Sequence, residues 1–367
     1  MSERIVIKEI CEVYDGPHAT PKKTVDGPVY LGIDAITDDG KINAKEFAHL
    51  SEEDYIKWTK RVTPQYGDIV FSYEATLGRY ALIPKDFYGC LGRRLAIIRN
   101  VSKDIDTLWL YYYFLSPEWK QFIQSKIIKG STVNRISVED FPTYTVPNIS
   151  IKVQRKIANI LSKIDEKIAL NNNINDNLEQ QMHLIFENMM TKASTHKLSG
   201  EYTIAQNLAT AVTGKEDANF SVPNGKYKFF TCSNTPLLCE EYVFDSSSIL
   251  IAGNGDFNVK HYSGKFNAYQ RTYVLTPDKK YFGLLYLASL YRINSFKSRS
   301  SGSIVKFITK SDVENIPVFI PNDMFYLQEL NKLIYLQEQN KLENELLVNL
   351  RDWLLPMLMN GQATISD

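Results

Sequence analysis

An internal repeat constrains the fold of this 367-residue chain more than any other feature. GSTVNRISVEDFPTYTVPN (130–148) is matched by GSIVKFITKSDVENIPVFIPN (302–322) near the ends of two similar halves. A pair of glycines near the start of each half keeps the same eleven-residue spacing, Gly16 and Gly27 in the first and Gly214 and Gly225 in the second. Similar segments in the same order, met twice, indicate two copies of one structural unit.

The second copy is the shorter one. Matched positions lie 198 residues apart at the glycines and 174 apart at the helical segments that end the copies, a loss of about 24 residues. Most of that loss falls on DDGKINAKEFAHLSEEDYIKWTKRV (38–62), for which the second copy shows no counterpart. The surface of the second copy should therefore differ most from the first in this region.

Each copy reads as a mixture of strands and short helices. GDIVFSYEATLGRYALIP (67–84) and LGRRLAIIR (91–99) alternate like strands, as does the segment 247–277 in the second copy. Aromatic-rich segments predict short helices at 107–128 and 281–297. The expected fold class is α+β, with two domains of mixed strands and short helices separated by two long helices.

The two long helices carry apolar residues at coiled-coil spacing. The predicted seam of the first is Ile157, Leu161, Ile164, Ile168, Asn171, Asn175, Leu178, Met182, Ile185 and Met189. That of the second is Leu333, Leu336, Asn340, Glu343, Leu347, Leu350, Leu354 and Met357. Asp165, Glu166 and Lys167 fall between seam positions and are expected to form surface ion pairs. The predicted division is a first domain at 1–148, a central helix at 149–192, a second domain at 193–321 and a C-terminal helix at 322–360.

Asparagine is a poor helix former, yet five of them occupy the stretch IALNNNINDNLEQQM (168–182). In a chain that runs domain, helix, domain, helix, the second helix must return along the first if the two pair, so they should be antiparallel. Matching the seams in that sense places Asn171 opposite Glu343 and Asn175 opposite Asn340. Such a polar layer lowers stability but penalises shifted registers, because a slip buries amides against leucine.

The distribution of charge matters more than its sum, which is zero at 42 basic and 42 acidic residues. Two windows at matched places in the repeat, 119–138 and 279–311, contain basic residues and no acid. In both, Lys or Arg stands among Gly, Ser and Asn, a composition that suits phosphate and base contacts, although a simple turn would also fit. With two aligned loops, 74–80 and 252–260, the candidate DNA-binding residues are Arg79, Lys129, Ser131, Thr132, Asn134, Arg135, Asn254, Lys260, Arg299, Ser301, Ser303 and Lys306.

Motifs for chemistry inside the chain are weak. GNGDFN (253–258) and VTGKE (212–216) are incomplete as cofactor or phosphate loops and read as turns. The five histidines show no ligand spacing, and the four cysteines form no CxxC pair, so no metal is expected. With no signal-peptide pattern and no membrane-length apolar run, a cytoplasmic location is expected.

In order and in duplicate, these segments resemble the specificity subunits of type I restriction-modification systems. The quoted order runs from YLGIDAI (30–36) through LGRRLAIIR and GSTVNRISVEDFPTYTVP to QRKIANILSKIDEKIALNNNINDNL, and the second copy ends in LLVNLRDWLLPMLMNGQ. The resemblance implies a non-catalytic subunit in which each recognition domain binds one half of a bipartite double-stranded DNA site. It also implies two methyltransferase subunits carrying S-adenosylmethionine and restriction subunits using ATP as partners, with no cofactor on this chain.

Two other functions remain open from the residues alone. One is a self-contained DNA-modification enzyme, against which the missing cofactor loop speaks. The other is a coiled-coil scaffold that binds only protein, against which the two matched basic windows speak.

Overall fold

The computed structural model describes residues 3–130, 133–255, 257–299 and 307–363, with only the backbone described at 297–299. The chain forms two compact units. Unit 1 contains Met1–Lys167 and Leu347–Asp367, and unit 2 contains Ile168–Leu346. Each unit therefore joins one copy of the repeat to a part of both long helices.

Unit 1 is built on a four-stranded antiparallel sheet, in the order β2-β8-β5-β6, beside a three-stranded sheet, β4-β3-β7, and the pair β1-β9. Its strands are β1 (Arg4–Val6), β2 (Cys11–Asp15), β3 (Thr24–Leu31), β4 (Ala48–His49), β5 (Ile69–Ser72), β6 (Tyr80–Leu82), β7 (Gly89–Leu91), β8 (Leu95–Asn100) and β9 (Thr145–Pro147). Its helices are α1 (Ile7–Ile10), α2 (Glu52–Trp58), α3 (Thr107–Leu115), α4 (Pro117–Lys126), the first part of α5 (Ile151–Ser194) and the last part of α8 (Met324–Met359).

Unit 2 has a single six-stranded sheet, β11-β16-β14-β15-β12-β13, and the pair β10-β17. Its strands are β10 (Gly200–Ile204), β11 (Ala211–Thr213), β12 (Tyr227–Phe230), β13 (Leu237–Cys239), β14 (Phe244–Ala252), β15 (Val259–Ala268), β16 (Thr272–Leu275) and β17 (Pro317–Pro321). Its helices are the second part of α5, α6 (Phe282–Arg299), α7 (Lys310–Glu314) and most of α8 (Met324–Met359).

The strand pairing confirms the repeat. The order β2-β8-β5-β6 in unit 1 corresponds to β11-β16-β14-β15 in unit 2. The glycine match is confirmed as well, because Gly16 N donates to Leu95 O at 3.0 Å and Gly214 N donates to Thr272 O at 3.2 Å. A Cβ at Gly16 would lie 2.3 Å from Leu95 O, so this close approach excludes a side chain.

The shorter second copy has a structural explanation. Strand β15 pairs antiparallel with β14 over residues 259–266 and parallel with β12 at its C-terminal end, 266–268. In unit 1 the corresponding pairings are made by two strands, β6 with β5 and β7 with β3. One continuous strand thus replaces two strands and their connection. The expectation that 38–62 has no counterpart was partly wrong, because β4 pairs with β3 as β13 pairs with β12. The pairing is retained where the sequence likeness is lost.

Both predicted short helices are present, but the first is broken in two. Ser116 ends α3 and its side chain accepts from Trp119 N at 3.3 Å, so it caps α4, whose first residue is Pro117. Proline at the first helical position and serine at the cap are favoured choices for starting a helix. Below the break lies an aromatic core in which the Trp119 indole donates to the Tyr80 hydroxyl at 2.8 Å.

The residues that α5 buries are nearly those of the predicted seam. Every seam position from Ile157 to Met182 is buried, as is Met189, but near the end Phe186 is buried and Ile185 only partly so. The two helices run antiparallel within unit 2: Asn171 of α5 pairs with Glu343 of α8, and Asn175, further along α5, pairs with the earlier residue Asn340.

The predicted seam of α8 was wrong at two positions. Leu336 is 41% exposed and Leu350 is 44% exposed, whereas Ile334, Gln337 and Leu358 are buried. In unit 2 this helix packs against α6 as well as α5: Gly283 N donates to Asn331 Oδ1 at 2.8 Å, and a Cβ at Gly283 would approach Leu330 Cβ to 2.9 Å. A helix with two neighbours buries a wider and rotated face than a coiled-coil seam.

Asp165 was wrongly expected on the solvent side of the seam. Its carboxylate accepts from Arg351 Nη1 at 2.9 Å and from the Tyr112 hydroxyl at 2.7 Å, and its side chain is only 21% exposed. Glu166 does form a surface ion pair, with Lys163 at 2.6 Å. Asp165 instead links α5, α8 and α3 within unit 1.

Candidate nucleic-acid interface

Three chain segments lie side by side at one end of the unit 1 sheet. Tyr73 N donates to Arg94 O at 3.1 Å, and Ile136 N donates to Tyr73 O at 2.8 Å. Glu74, which follows Tyr73, also forms a backbone bridge with Arg135, which precedes Ile136. The loop after β5 is therefore held between the start of β8 and the segment that contains 133–136, which brings the two candidate regions of the sequence together.

Unit 2 builds the same arrangement. Gly253 N donates to Arg271 O at 2.8 Å, and Ile308 N donates to Gly253 O at 2.8 Å. Asn254 bridges Phe307, as Glu74 bridges Arg135 in unit 1. The loop after β14 thus lies between the start of β16 and the segment from 307 onward. The two matched sequence regions meet in both units by the same hydrogen bonds.

Three of the predicted unit 1 residues are solvent-exposed near this face. Lys129, Asn134 and Arg135 are exposed. Arg79 has a different environment: its guanidinium forms two hydrogen bonds to Asp38, at 2.6 and 3.2 Å, and a third to Ile36 O at 3.0 Å. These bonds give Arg79 a structural role in anchoring its loop, while its contact with DNA stays a prediction. Ser131 and Thr132 lie outside the described residues.

In unit 2 fewer of the predicted residues are described. Asn254 is half-buried at the bridge to Phe307, whose own side chain is 58% exposed. The Lys260 ammonium lies 3.4 Å from Thr231 O and also bonds the Asn258 amide oxygen, so its charge is held against its own loop. Four predicted positions lie outside the part of the chain or the side chains that the structure describes: Arg299, Ser301, Ser303 and Lys306.

The sequence reading missed two arginines at this face. Arg94 and Arg271 each precede the strand that pairs with β5 or β14, and each carbonyl accepts the same loop hydrogen bond. The alternation in LGRRLAIIR (91–99) predicts a strand and gives no sign of an arginine at this face. An alignment of LGRRL (91–95) with AYQRT (268–272) shows the shared arginine, but the two peptides are otherwise too different to suggest that alignment.

Acidic and aromatic groups surround the unit 1 face. Glu74 Oε1 lies 2.9 Å from Arg94 Nε, and His18 pairs with Asp15 at 2.9 Å. The hydroxyl of Tyr73 lies 3.4 Å from His18 Nδ1. Burial, and then the charge of Asp15, raise the pKa of the Tyr73 phenol far above its ordinary value. Tyr73 is therefore a neutral hydrogen-bonding group at any physiological pH.

Both polar pairs expected between the long helices are present in unit 2. Asn171 Nδ2 donates to Glu343 Oε2 at 2.7 Å, and Asn340 Nδ2 donates to Asn175 Oδ1 at 2.9 Å. Asn171 is fully buried and also donates to Asn344 Oδ1 at 2.9 Å. Within the described residues the Asn171 amide oxygen has no hydrogen-bond partner. The layer is polar, and one of its buried groups lacks a partner among the described residues, so we expect it to lower the stability of the helix pair.

No group of three metal-ligating side chains occurs within the residues described, and no helix among them is long and apolar enough to cross a membrane. Residues 2–180 and 209–348 match the protein family described as "Type I restriction modification DNA specificity domain". The match covers most of both copies of the repeat.

Two curated proteins are similar in part. The type I restriction enzyme EcoDI specificity subunit of Escherichia coli is 36% identical over 159 residues, which are 41% of this chain and 36% of that protein. The putative type I restriction enzyme MjaX specificity subunit of Methanocaldococcus jannaschii is 26% identical over 127 residues, 34% of this chain and 28% of that protein. The chain thus spans about a third of the length of these relatives.

A solved structure shares the fold over nearly the whole chain. The crystal structure of a type I restriction-modification system S subunit from M. genitalium has a TM-score of 0.60 and 17% sequence identity, covering 99% of this chain and 96% of that one.

Proposed function

This chain belongs to the family of type I restriction-modification DNA specificity domains, and we propose that each of its units binds one half of a bipartite double-stranded DNA site. The observation that carries the proposal is the face built twice by the same hydrogen bonds, around the loops at Tyr73 and Gly253. Two equal platforms with different exposed side chains suit two different half-sites. Direct readout of base edges needs such side chains on a rigid support.

We further propose that the chain is not itself a catalyst. Its sequence lacks the glycine-rich cofactor loop and the Asn/Asp-Pro-Pro-aromatic loop that an amino-methyltransferase needs. Methyl transfer would then belong to two methyltransferase subunits that carry S-adenosylmethionine, and DNA cleavage to ATP-dependent restriction subunits. In this scheme the chain supplies specificity and its partners supply the chemistry.

The long helices are the proposed docking surface for the methyltransferase subunits. In unit 2, Leu342 and Leu346 of α8 are 51% and 69% exposed, one turn apart. In unit 1, Trp353 of α8 is 60% exposed. Clustered large apolar side chains on a helix surface are typical of protein interaction sites. A Trp353→Ala variant should therefore lose methyltransferase binding while the free chain keeps its stability.

Methylation-aware sequencing of the host genome, with and without this gene, tests the proposal. Loss of methylation at one bipartite motif is expected when the gene is deleted. Incubation of the purified chain alone with radiolabelled S-adenosylmethionine and DNA provides the second arm. Methyl transfer without any partner would show a self-contained enzyme, and an assembled complex that leaves no footprint on DNA would favour a protein-binding scaffold.

A further inference from the structure

Equivalent positions at the two faces can be compared residue by residue. In unit 1, Glu74 and Arg135 bridge each other, and Arg94 lies opposite Tyr73 on the next segment with its side chain paired to Glu74; these three residues are called contact row 1. Arg271, Asn254 and Phe307 occupy the matching places in unit 2 and are called contact row 2. The match rests on the paired hydrogen bonds described above and on the two bridges.

Further hydrogen bonds on the N-terminal side of the two arginines support their equivalence. Gly92 N donates to Leu31 O at 2.7 Å, and Tyr269 N donates to Phe230 O at 2.9 Å, in each case two residues before the arginine. On the C-terminal side, the bonds to Leu95 and Thr272 from the matched glycines follow one residue after it. The arginine is therefore at the same backbone place in both units.

Contact row 1 and contact row 2 share the arginine and differ at the other two positions. We propose that Arg94 and Arg271 bind the DNA phosphate backbone, while the two remaining positions of each row read bases. This inference rests on the proposed function. Two domains that bind different half-sites contact the same phosphate groups but different bases. A residue that both domains share therefore suits a phosphate contact, and a residue that differs between them suits a base contact.

The state of the two guanidinium groups agrees with an ionic ligand. Arg94 Nε lies 2.9 Å from Glu74 Oε1 as an ion pair, and this nitrogen has no hydrogen-bond partner among the described residues. Arg94 also has a positive φ of 75°, which is uncommon for a residue other than glycine and marks a constrained position. Arg271 is exposed, and its guanidinium bonds to no side chain or carbonyl of the described residues.

The differing positions point to different base pairs. A Glu carboxylate accepts from the cytosine amino group and an Arg reads guanine in a bidentate manner, so Glu74 and Arg135 suit a G·C pair. Asn reads adenine in a bidentate manner and an aromatic ring packs on the thymine methyl, so Asn254 and Phe307 suit an A·T pair. Neighbouring extended segments lie about 4.8 Å apart, so the two reading positions of a row can address the same or adjacent base pairs.

The test uses the chain assembled with its methyltransferase subunits. Binding is measured over a range of salt concentrations, on DNA that contains the motif that the complex methylates and on variants of each half-site. Arg94→Ala and Arg271→Ala should each weaken binding uniformly across sequences and lower the salt slope by about one. Arg94→Lys should keep the slope. Lys85→Ala is the matched control, because Lys85 is exposed and lies beyond the opposite end of β5 and β6 from contact row 1.

The base-reading half is tested by exchange. Glu74→Asn with Arg135→Phe should move the preference of the first half-site from G·C towards A·T and leave the second half-site unchanged. A changed sequence preference in Arg271→Ala, or an unchanged salt slope in both alanine variants, would overturn the phosphate assignment. Sequence preference is judged on Arg271→Ala because Arg94 is paired with Glu74, itself a proposed base-reading residue. Failure of the wild-type complex to bind any bipartite site would instead overturn the proposed function, so the two failures are distinguishable.

Discussion

Replacement of the Asn175–Asn340 pair by leucine should stabilise the chain and weaken the control of helix register. Asn175 is 8% exposed and Asn340 is half-buried, and they share the 2.9 Å amide hydrogen bond. A fully buried leucine contributes about 1.5–3 kcal/mol, and the half-buried one contributes roughly half of that. Loss of the hydrogen bond costs about 1 kcal/mol. Asn175→Leu with Asn340→Leu should therefore raise the free energy of unfolding by roughly 2 kcal/mol.

The single substitutions should behave differently from the pair. Asn175→Leu alone leaves the Asn340 amide without its partner, a cost of about 1–3 kcal/mol that offsets the gain from the leucine. The double variant should therefore exceed the sum of its singles by about 1–2 kcal/mol, the coupling expected of residues in contact. Thermal and urea unfolding of the purified chain measure this. For a unit of roughly 180 residues, an increase of 2 kcal/mol in the free energy of unfolding corresponds to a rise in Tm of about 4–8 °C.

The functional readout is the distance between half-sites. With leucine on both helices a shifted register no longer buries an amide against an apolar side chain, so the assembled complex should methylate sites whose spacer differs by one base pair. Asn173→Leu with Gln180→Leu, two exposed amides of α5, is the control and should leave stability within about 0.5 kcal/mol and the spacing unchanged. A lower Tm in the double variant, or additive singles, would refute the reasoning on stability. An unchanged spacer preference would refute the role in register.

Three further expectations concern stability and reactivity. Asp68→Ala should destabilise the chain to denaturant by about 3–5 kcal/mol, because Asp68 is buried and forms a bidentate pair with Arg99 at 2.7 and 2.8 Å. Burial raises the pKa of Glu338, but the hydrogen bond and charge of His261 lower it below its ordinary 4.5. The Glu338 carboxylate therefore stabilises the fold above about pH 4.5 and loses that effect as pH falls further, so Glu338→Gln should flatten the acid limb of a stability–pH curve. Burial raises the pKa of Cys11 to about 12, so iodoacetamide at pH 8 should label it only in denaturant, as mass spectrometry would show.

The repeat, the α+β class and the antiparallel helix pair could be predicted because each leaves a regular mark on the sequence. Glycines recur where the backbone approaches too closely for a Cβ, as at Gly16. Helix α5 has one buried stripe along its length, so the 3-4 spacing of its apolar residues predicts the buried positions. The Asn171 and Asn175 pairs follow once the direction of the second helix is settled. These features depend on local spacing and on chain order.

Helix α8 could not be predicted as well, because its burial depends on elements far away in sequence. Gln337 is buried and lies 3.0 Å from His261 Nε2 on β15, an anchor that no heptad pattern indicates. Leu336, one residue earlier, faces solvent although its spacing from Leu333 suits a seam. When a helix lies against a sheet and a second helix together, the apolar periodicity mixes two contact faces, and a single seam assigned from sequence will be wrong at some positions.

The equivalence of Arg94 and Arg271 could not be predicted from the sequence, for a different reason. The peptides around them share little, and the repeat offset has changed from 198 at Gly16 to 177 at the arginines through the loss of loops. Only backbone hydrogen bonds show that the two positions coincide. If the two units bind different half-sites, as we propose, a residue that both units share should contact the DNA phosphate backbone, which is the same in every half-site. The residues beside the shared arginine then become the first candidates for the difference between the half-sites.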